Sequence, residues 1–385
     1  MNQLIYKRRQ KKLTLMDNVN NDTPFELESV EALLKNLKIE KPLVVSRGGL
    51  MRSHLNLEFA NITIVQFGEF TPNPTAEQVH AGLELYKKER CDCIISIGGG
   101  SAIDVAKAIQ AIYHTDPHLS LLDRLTHPMP KELIHIAIPT TAGTGSESTH
   151  FATIYINQKK YSVADKLLIP KIAILDASLL ATLPQYERSS TYLDAFCHSV
   201  ESFWSVRSTK ESQEFSRKAL NLLVNNIDAY FKGGEEAAQA AILAANYAGR
   251  AINLTTTTAA HAMCYQLTSL YGLSHGHAAA VCLPVAWKYL LEKSEANGNL
   301  KNRLTELARI ICQNESIDDP WEALNVFVEM FKKANFTSDW VPKNENDLEM
   351  LVSSVNLQRL SNFPIEMSAE DLRRLYRQAL WKEMK

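Results

Sequence analysis

Long apolar runs are missing from this chain. No stretch reaches the roughly 18 apolar residues that a membrane span needs, and the basic N-terminus is not followed by the apolar core of a secretory signal. A cytoplasmic protein without a membrane partner is the expectation. Excess charge is missing as well: 41 Lys and Arg stand against 43 Asp and Glu, a net charge of -2, so no broad cationic surface is available for nucleic acid. The one basic cluster, Lys7-Arg8-Arg9 with Lys11-Lys12, reads as a solvated tail. Paired cysteine motifs are absent. Cys91, Cys93, Cys197, Cys264, Cys282 and Cys312 lie scattered in apolar surroundings, which argues for buried free thiols over a disulfide framework or a zinc ribbon. Gly/Ser-rich linkers, low-complexity tracts and internal repeats are also lacking, so disordered, collagen-like and repeat-array classes drop out.

What is present is a long chain with ample core-forming material. Its 385 residues, 45% hydrophobic, exceed one ordinary core and predict two domains. Short apolar runs at 42–46, 62–65, 93–97, 133–138 and 172–175 alternate with helix-period stretches, as strands buried on both faces do in βαβ units. After Pro184 the strand-like runs stop, and amphipathic stretches such as 192–205, 212–231, 235–254 and 287–293 take over. The expected organisation is an α/β domain over 1–185 joined closely to an all-helical domain over 186–385, with a ligand cleft between them.

Three constellations carry chemistry. The run 93–97 leads into Gly98-Gly99-Gly100-Ser101 and then into a helical pattern with Ile103, Ala106, Lys107 and Ile109. Glycines at a strand-to-helix turn let backbone N–H groups approach a diphosphate, and the helix N-terminus adds partial positive charge. A second polar loop, Pro139-Thr140-Thr141-Ala142-Gly143-Thr144-Gly145-Ser146-Glu147, is rich in hydroxyls and suits hydrogen bonding to a nucleotide or substrate. Neither loop is the G-x-G-x-x-G fingerprint, so a variant nucleotide-binding α/β fold is expected. Asp194 and His198 stand four apart and share a helix face, His261 follows on another helix-like stretch, and His275 sits just after a turn built from Gly272-Leu273-Ser274. One carboxylate and three imidazoles suit a borderline divalent ion such as Fe²⁺ or Zn²⁺ with room for substrate; the competing reading is ordinary packing histidines.

Taken together, Gly98 to Ser101, Pro139 to Glu147, Asp194-Ala-Phe-Cys-His198, His261-Ala-Met and His275-Gly276 resemble, in order and spacing, the iron-containing (group III) alcohol dehydrogenases, from about residue 40 onward. The resemblance implies an α/β N-terminal dinucleotide-binding domain (dehydroquinate-synthase-like) followed by an all-helical C-terminal metal-binding domain, with a metal held between them. It implies Asp194, His198, His261 and His275 as ligands of Fe²⁺ or Zn²⁺. It also implies NAD(P)H contacts from Asn73, Gly98, Gly99, Gly100, Ser101, Asp104, Thr140, Thr141, Thr144 and Lys160. The activity so implied is hydride transfer between a nicotinamide and a small-molecule aldehyde or alcohol, in a homodimer.

Three departures sharpen that expectation. Where many dehydrogenases of the family carry an Asp that excludes a 2'-phosphate, this chain has Arg47 beside Ser46, which favours NADP at least as much as NAD. Where a second histidine commonly follows the third ligand there is Tyr265, so Tyr265 and the additional His277 are the candidates for proton transfer. Residues 201–209 and 261–284 are similar to the phosphonoacetaldehyde reductase branch, which makes His150, Lys160 and Arg207 candidates for a dianionic substrate. That branch often carries Gln at the second ligand position, whereas His198 retains a full ligand set. The alternatives are a general small-alcohol, lactaldehyde or diol dehydrogenase of the same family, a lyase or synthase on the related scaffold, and a non-catalytic scaffold or filament subunit.

Overall fold

The computed structural model describes residues 13–17, 25–27, 30–48, 62–157, 159–336 and 345–380; the basic cluster Lys7 to Lys12 lies outside them. Contacts divide the chain into two units, Met1–Thr140 with Ser146–Leu179, and Thr141–Gly145 with Leu180–Lys385. Five residues of the hydroxyl-rich loop thus pack with the second unit.

The first unit is built on a seven-stranded sheet in the order β2-β1-β9-β6-β5-β3-β4. Its strands are β1 (Leu13–Asp17), β2 (Phe25–Leu27), β3 (Pro42–Val45), β4 (Val65–Phe67), β5 (Cys93–Gly98), β6 (Ile134–Pro139) and β9 (Ile172–Leu175). From β4 to β9 the neighbours are parallel, and β1 pairs antiparallel with β9 on one side and with the edge strand β2 on the other. The central strands are apolar on both faces. Val44, Cys93, Ile95, Ile97, Ile136 and Ile138 join one core cluster, and Leu43, Val45 and Ile94 the other. Helices α2 (Ala76–Glu89) and α3 (Gly100–Ala111) cover that second face with Val79, Leu83, Ala102, Val105 and Ile109. Helix α2 starts at a capping box between Thr75 and Gln78 and ends at Arg90, whose left-handed φ of 56° stops propagation.

Two features differ from the sequence expectation. The strand expected at 62–65 begins at Val65, because Leu43 of β3 pairs with Val65; Ile62 and Ile64 instead pack their half-buried side chains on the core ahead of it. A two-stranded antiparallel hairpin, β7 (Phe151–Ile156) and β8 (Lys159–Ala164), forms where no strand was expected. Its second strand is mostly exposed, so it lacks the apolar signal.

Lys107 of α3 is buried and ties the hairpin side of the unit together. Its Nζ donates to Ser146 O (2.6 Å), Thr149 Oγ1 (2.9 Å) and Phe151 O (3.0 Å). Burial lowers its pKa from 10.5 to about 8, against the opposing pull of Asp104. Lys107→Met removes one donor from several buried acceptors, and the urea midpoint should fall by an amount equivalent to roughly 2–4 kcal/mol. The pH dependence has a definite sign. Between about 8 and 10.5 the unfolded chain holds the Lys107 proton that the folded one has released, so stability from this group rises with pH in that window. The variant should lack that rise; an unchanged midpoint and slope would remove this role.

The second unit is helical: α5 (Gln185–Trp204), α6 (Lys210–Phe231), α7 (Glu235–Thr255), α8 (Ala259–Tyr271), α9 (His275–Ser294), α10 (Gly298–Cys312), α11 (Trp321–Lys333), α12 (Glu345–Ser353), α13 (Leu357–Leu360) and α14 (Ala369–Leu380). The first unit also carries α1 (Val30–Asn36) and α4 (Leu121–Thr126). Helix α5 is the hub and packs on α6, α7 and α9. Among the described residues no helix is long and apolar enough to cross a membrane. The cysteines are free thiols, buried except for half-buried Cys312.

Candidate metal centre

Helix α5 brings Asp194, His198 and Glu201 onto one face, because spacings of four and three residues stack side chains along a helix. His261 lies in the first turn of α8, and His275 is the first residue of α9. Gly272, at a left-handed φ of 69°, ends α8 and turns the chain into α9. The next glycine permits the approach: a Cβ on Gly276 would press on the Ser190 carbonyl and come within 2.7 Å of Asp194 Cβ.

These elements converge. Asp194, His261 and His275 offer donor atoms that all lie within 4.8 Å of one another. His261 Nε2 is 3.3 Å from Asp194 Oδ1, and His198 Nε2 is 3.8 Å from the same oxygen, with the His198 ring stacked on His261 at 4.5 Å and 15°. All but His275 are buried.

Behind the cluster stands Glu201, fully buried. Its Oε1 accepts from Thr258 N (3.0 Å), Thr258 Oγ1 (2.6 Å) and Ala260 N (2.9 Å), and its Oε2 is hydrogen-bonded to His261 Nδ1. A carboxylate on Nδ1 leaves Nε2 as the nitrogen that faces Asp194, the arrangement by which outer carboxylates orient metal-binding imidazoles. Sequence reasoning did not single out Glu201 for this role, although its place seven residues after Asp194 on an amphipathic helix carried the signal.

The charges in the cluster ask for a cation. Burial disfavours charge on Asp194, but His198, His261 and His275 outweigh it and hold its carboxyl well below the usual range. Burial likewise opposes charge on His261, yet Glu201 foremost and Asp194 with it raise the imidazolium to about 9. His198 is pushed down to about 4 by burial. Its Nδ1 is buried without a hydrogen-bond partner among the described residues, and 3.8 Å from Nε2 to Asp194 exceeds hydrogen-bond length. Ligand atoms bound about 2.1 Å from one tetrahedral ion are spaced about 3.4 Å apart, close to both imidazole–carboxylate distances. Two buried carboxylates, an imidazole with no hydrogen bond to satisfy it, and ligand-like spacing fit a divalent ion.

The other expected site residues fall in separate places. Tyr265 is half-buried and stacks on His275 (5.8 Å, 12°). His277 turns instead to Tyr186, with Nδ1 3.1 Å from its hydroxyl, and lies flat on Phe336 at 3.8 Å. Arg207 is exposed after α5, with its backbone N–H on Ser205 Oγ. His150, half-buried, and Lys160, exposed on β8, belong to the α/β unit.

In that unit the nucleotide candidates gather at the carboxyl edge of the sheet. Gly98 pairs with Pro139, and Thr140 N–H donates to Gly98 O at 3.0 Å. Gly99 caps α3 without a side chain, and Gly100 opens it, so the helix N-terminus is bare. Ser101 Oγ is hydrogen-bonded to Pro72 O, which places the loop with exposed Asn73 beside the turn. Arg47 is exposed two residues beyond β3, which is parallel to β5. Asp104 is internal to the scaffold, accepting from Ser146 Oγ (2.7 Å) and Thr153 N (3.0 Å). Thr141 and Thr144 pack with the helical unit, where Gly145, at φ +59°, has room for no side chain because a Cβ would meet Gly249 Cα at 2.5 Å.

Comparison with known proteins agrees with this layout. The profile described as "Iron-containing alcohol dehydrogenase" matches residues 24–177, and that described as "Fe-containing alcohol dehydrogenase family, C-terminal" matches residues 189–380. Alcohol dehydrogenase 4 of Saccharomyces cerevisiae is 30% identical over 332 residues, covering 84% of each chain. The phosphonoacetaldehyde reductase of Streptomyces viridochromogenes is 35% identical over 239 residues, 59% of each chain. The crystal structure of sulfoacetaldehyde reductase from Bifidobacterium kashiwanohense, in complex with NAD+, superposes with a TM-score of 0.81 at 26% identity, over 92% of this chain and 94% of that one. On the matched profiles, the likeness over 84% of the chain and the shared fold, this chain belongs to the iron-containing alcohol dehydrogenase family of oxidoreductases.

Proposed function

We propose that this protein is a divalent-metal-dependent aldehyde reductase that uses NAD(P)H, with phosphonoacetaldehyde as substrate and 2-hydroxyethylphosphonate as product. The observation that carries the reading is the cluster of buried Asp194, His198 and His261 with half-buried His275, whose charges and spacing call for a cation. Fe²⁺ or Zn²⁺ held there would supply Lewis-acid stabilisation of the alkoxide-like oxygen, while reduced nicotinamide supplies hydride. The chain's own residues do the rest. Gly99, Gly100 and Ser101 offer backbone N–H groups at the α3 terminus for the diphosphate, with Thr140 bonded to Gly98 beside them and Asn73 next to the Pro72 that Ser101 meets, while Thr141, Thr144 and Lys160 are cofactor candidates from the family resemblance alone. Tyr265, stacked on His275, is better placed than His277 to pass a proton to the nascent alkoxide, since His277 is engaged with Tyr186 and Phe336.

The substrate choice rests on the 35% identity to a phosphonoacetaldehyde reductase. A second reading, a general small-alcohol dehydrogenase, is favoured by the longer match to yeast alcohol dehydrogenase 4. Steady-state rates with phosphonoacetaldehyde, sulfoacetaldehyde, propanal and lactaldehyde, on ion-stripped protein with and without added Fe²⁺ or Zn²⁺, separate the two. Full activity without any ion, or no turnover of any aldehyde, would refute the proposal.

Cofactor choice has its own test. Exposed Arg47 can meet a 2'-phosphate with charge-assisted hydrogen bonds, worth about 1.5–3 kcal/mol. Arg47→Asp should therefore move the ratio of kcat/KM for NADPH over NADH toward NADH by roughly 10-fold or more. An unmoved ratio would take Arg47 out of the account.

A further inference from the structure

The helical unit holds a second charged feature next to the cluster, and it is a cation. Arg359 lies in the short helix α13, where Asn356 Oδ1 accepts its backbone N–H at 3.0 Å and fixes where the side chain starts. Its guanidinium sits 5.8 Å from the centre of the Tyr265 ring, which itself lies parallel to His275 at 5.8 Å. One N–H reaches Thr257 Oγ1, just ahead of the turn that carries His261.

Arg359 has little structural reason to be a cation there. Among the described residues it forms no ion pair, and Thr257 is its one side-chain hydrogen-bond partner. A guanidinium has five N–H donors, so most of the fork remains for something else. The same surroundings would pack with an uncharged residue, and a half-buried arginine without a carboxylate pays a desolvation cost.

We propose that Arg359 is the specificity-determining residue that takes the anionic end of the substrate, so that the site favours small aldehydes carrying a tetrahedral oxyanion, phosphonate or sulfonate, on the carbon next to the carbonyl. A planar fork binds such a group through two parallel hydrogen bonds, and the guanidinium here lies over the Tyr265 ring. A short substrate then spans from Arg359 at one end to the cluster at the other. The inference rests on the aldehyde-reductase reading of the same site and adds to it the residue that selects the substrate class.

The test compares wild type, Arg359→Met and Arg359→Lys on phosphonoacetaldehyde, sulfoacetaldehyde and propanal, with methylphosphonate as an inhibitor of propanal reduction. In wild type the anionic aldehydes should be preferred, and methylphosphonate should compete with propanal. Arg359→Met should lose about 10²-fold in kcat/KM on the anionic aldehydes, keep propanal turnover within about threefold and escape methylphosphonate. Arg359→Lys, which keeps the charge and loses the fork, should fall between and carries the test if the Met variant does not fold. Preference unchanged in both variants overturns the role of Arg359 and leaves the reductase reading intact. Wild type that reduces sulfoacetaldehyde but not phosphonoacetaldehyde, with Arg359→Met abolishing that activity, corrects the substrate and sustains the inference. Wild type that treats propanal as well as either anion overturns it.

Discussion

His198→Leu should leave the ion-free protein as stable as wild type, or slightly more stable, and yet lower kcat/KM for aldehyde reduction by about 10³-fold or more. The two halves of that result have one origin. At neutral pH, where burial keeps His198 uncharged, its ring makes no hydrogen bond in the fold: Nδ1 has no hydrogen-bond partner among the described residues, and Nε2 stands 3.8 Å from Asp194. An apolar side chain of similar size removes a buried polar group without orphaning any other, which costs little and can be favourable. A group that a fold buries at a loss must be kept for another reason, and ligation supplies one. Loss of a ligand forfeits several kcal/mol of stabilisation of the developing alkoxide, and each ~1.4 kcal/mol is a factor of ten in rate. Thermal melts of ion-stripped protein, metal content after reconstitution and steady-state rates give the three readouts. A variant that melts far below wild type, or that retains both its ion and its rate, would show that His198 is a packing residue after all.

How much of this was legible beforehand follows from where the signal lies. The runs at 93–97 and 172–175 became strands because a sheet covered on both faces demands unbroken apolar residues, and no helical period competes there. The β7–β8 hairpin was not legible. Lys159, Lys160 and Ser162 form its ladder through the backbone, and pairing through backbone groups leaves no trace in side-chain hydrophobicity. The start of α9 was hidden for the opposite reason: from Gly276 to Trp287 nearly every residue is buried, so there is no polar face against which to read a helical period. Asp194 and His198 stood out as an i, i+4 pair and the Gly272 turn ahead of His275 was visible, but that two further helices bring His261 and His275 to them depends on the close approach that the missing side chain of Gly276 allows, which only a structure shows. Glu201 carried only its helical spacing from Asp194, and Arg359 carried no motif. Each is a single charged residue whose meaning comes from what it touches.

Glu201 gives the sharpest separation of holding the fold from holding the ion. Its two oxygens serve different masters: Oε1 accepts the Thr258 and Ala260 donors at the start of α8, and Oε2 faces His261 Nδ1. Glu201→Gln can keep the first set with its remaining oxygen, but then its NH₂ group points at His261 Nδ1 and requires that nitrogen to be an acceptor. The imidazole proton moves to Nε2, the nitrogen 3.3 Å from Asp194, and a protonated Nε2 cannot bind an ion. The Gln variant should therefore melt near wild type in ion-free form while its metal affinity and its rate at limiting metal fall by about 10- to 100-fold. Glu201→Ala leaves the α8 donors unpaired and the buried His261 imidazolium with Asp194 as its one remaining carboxylate, and should lose about 3–5 kcal/mol of stability as well. Chelator titrations and urea unfolding of the two variants distinguish the effects. If Glu201→Gln binds metal as tightly as wild type, the carboxylate is a cap for α8 and has no hand in the orientation of His261.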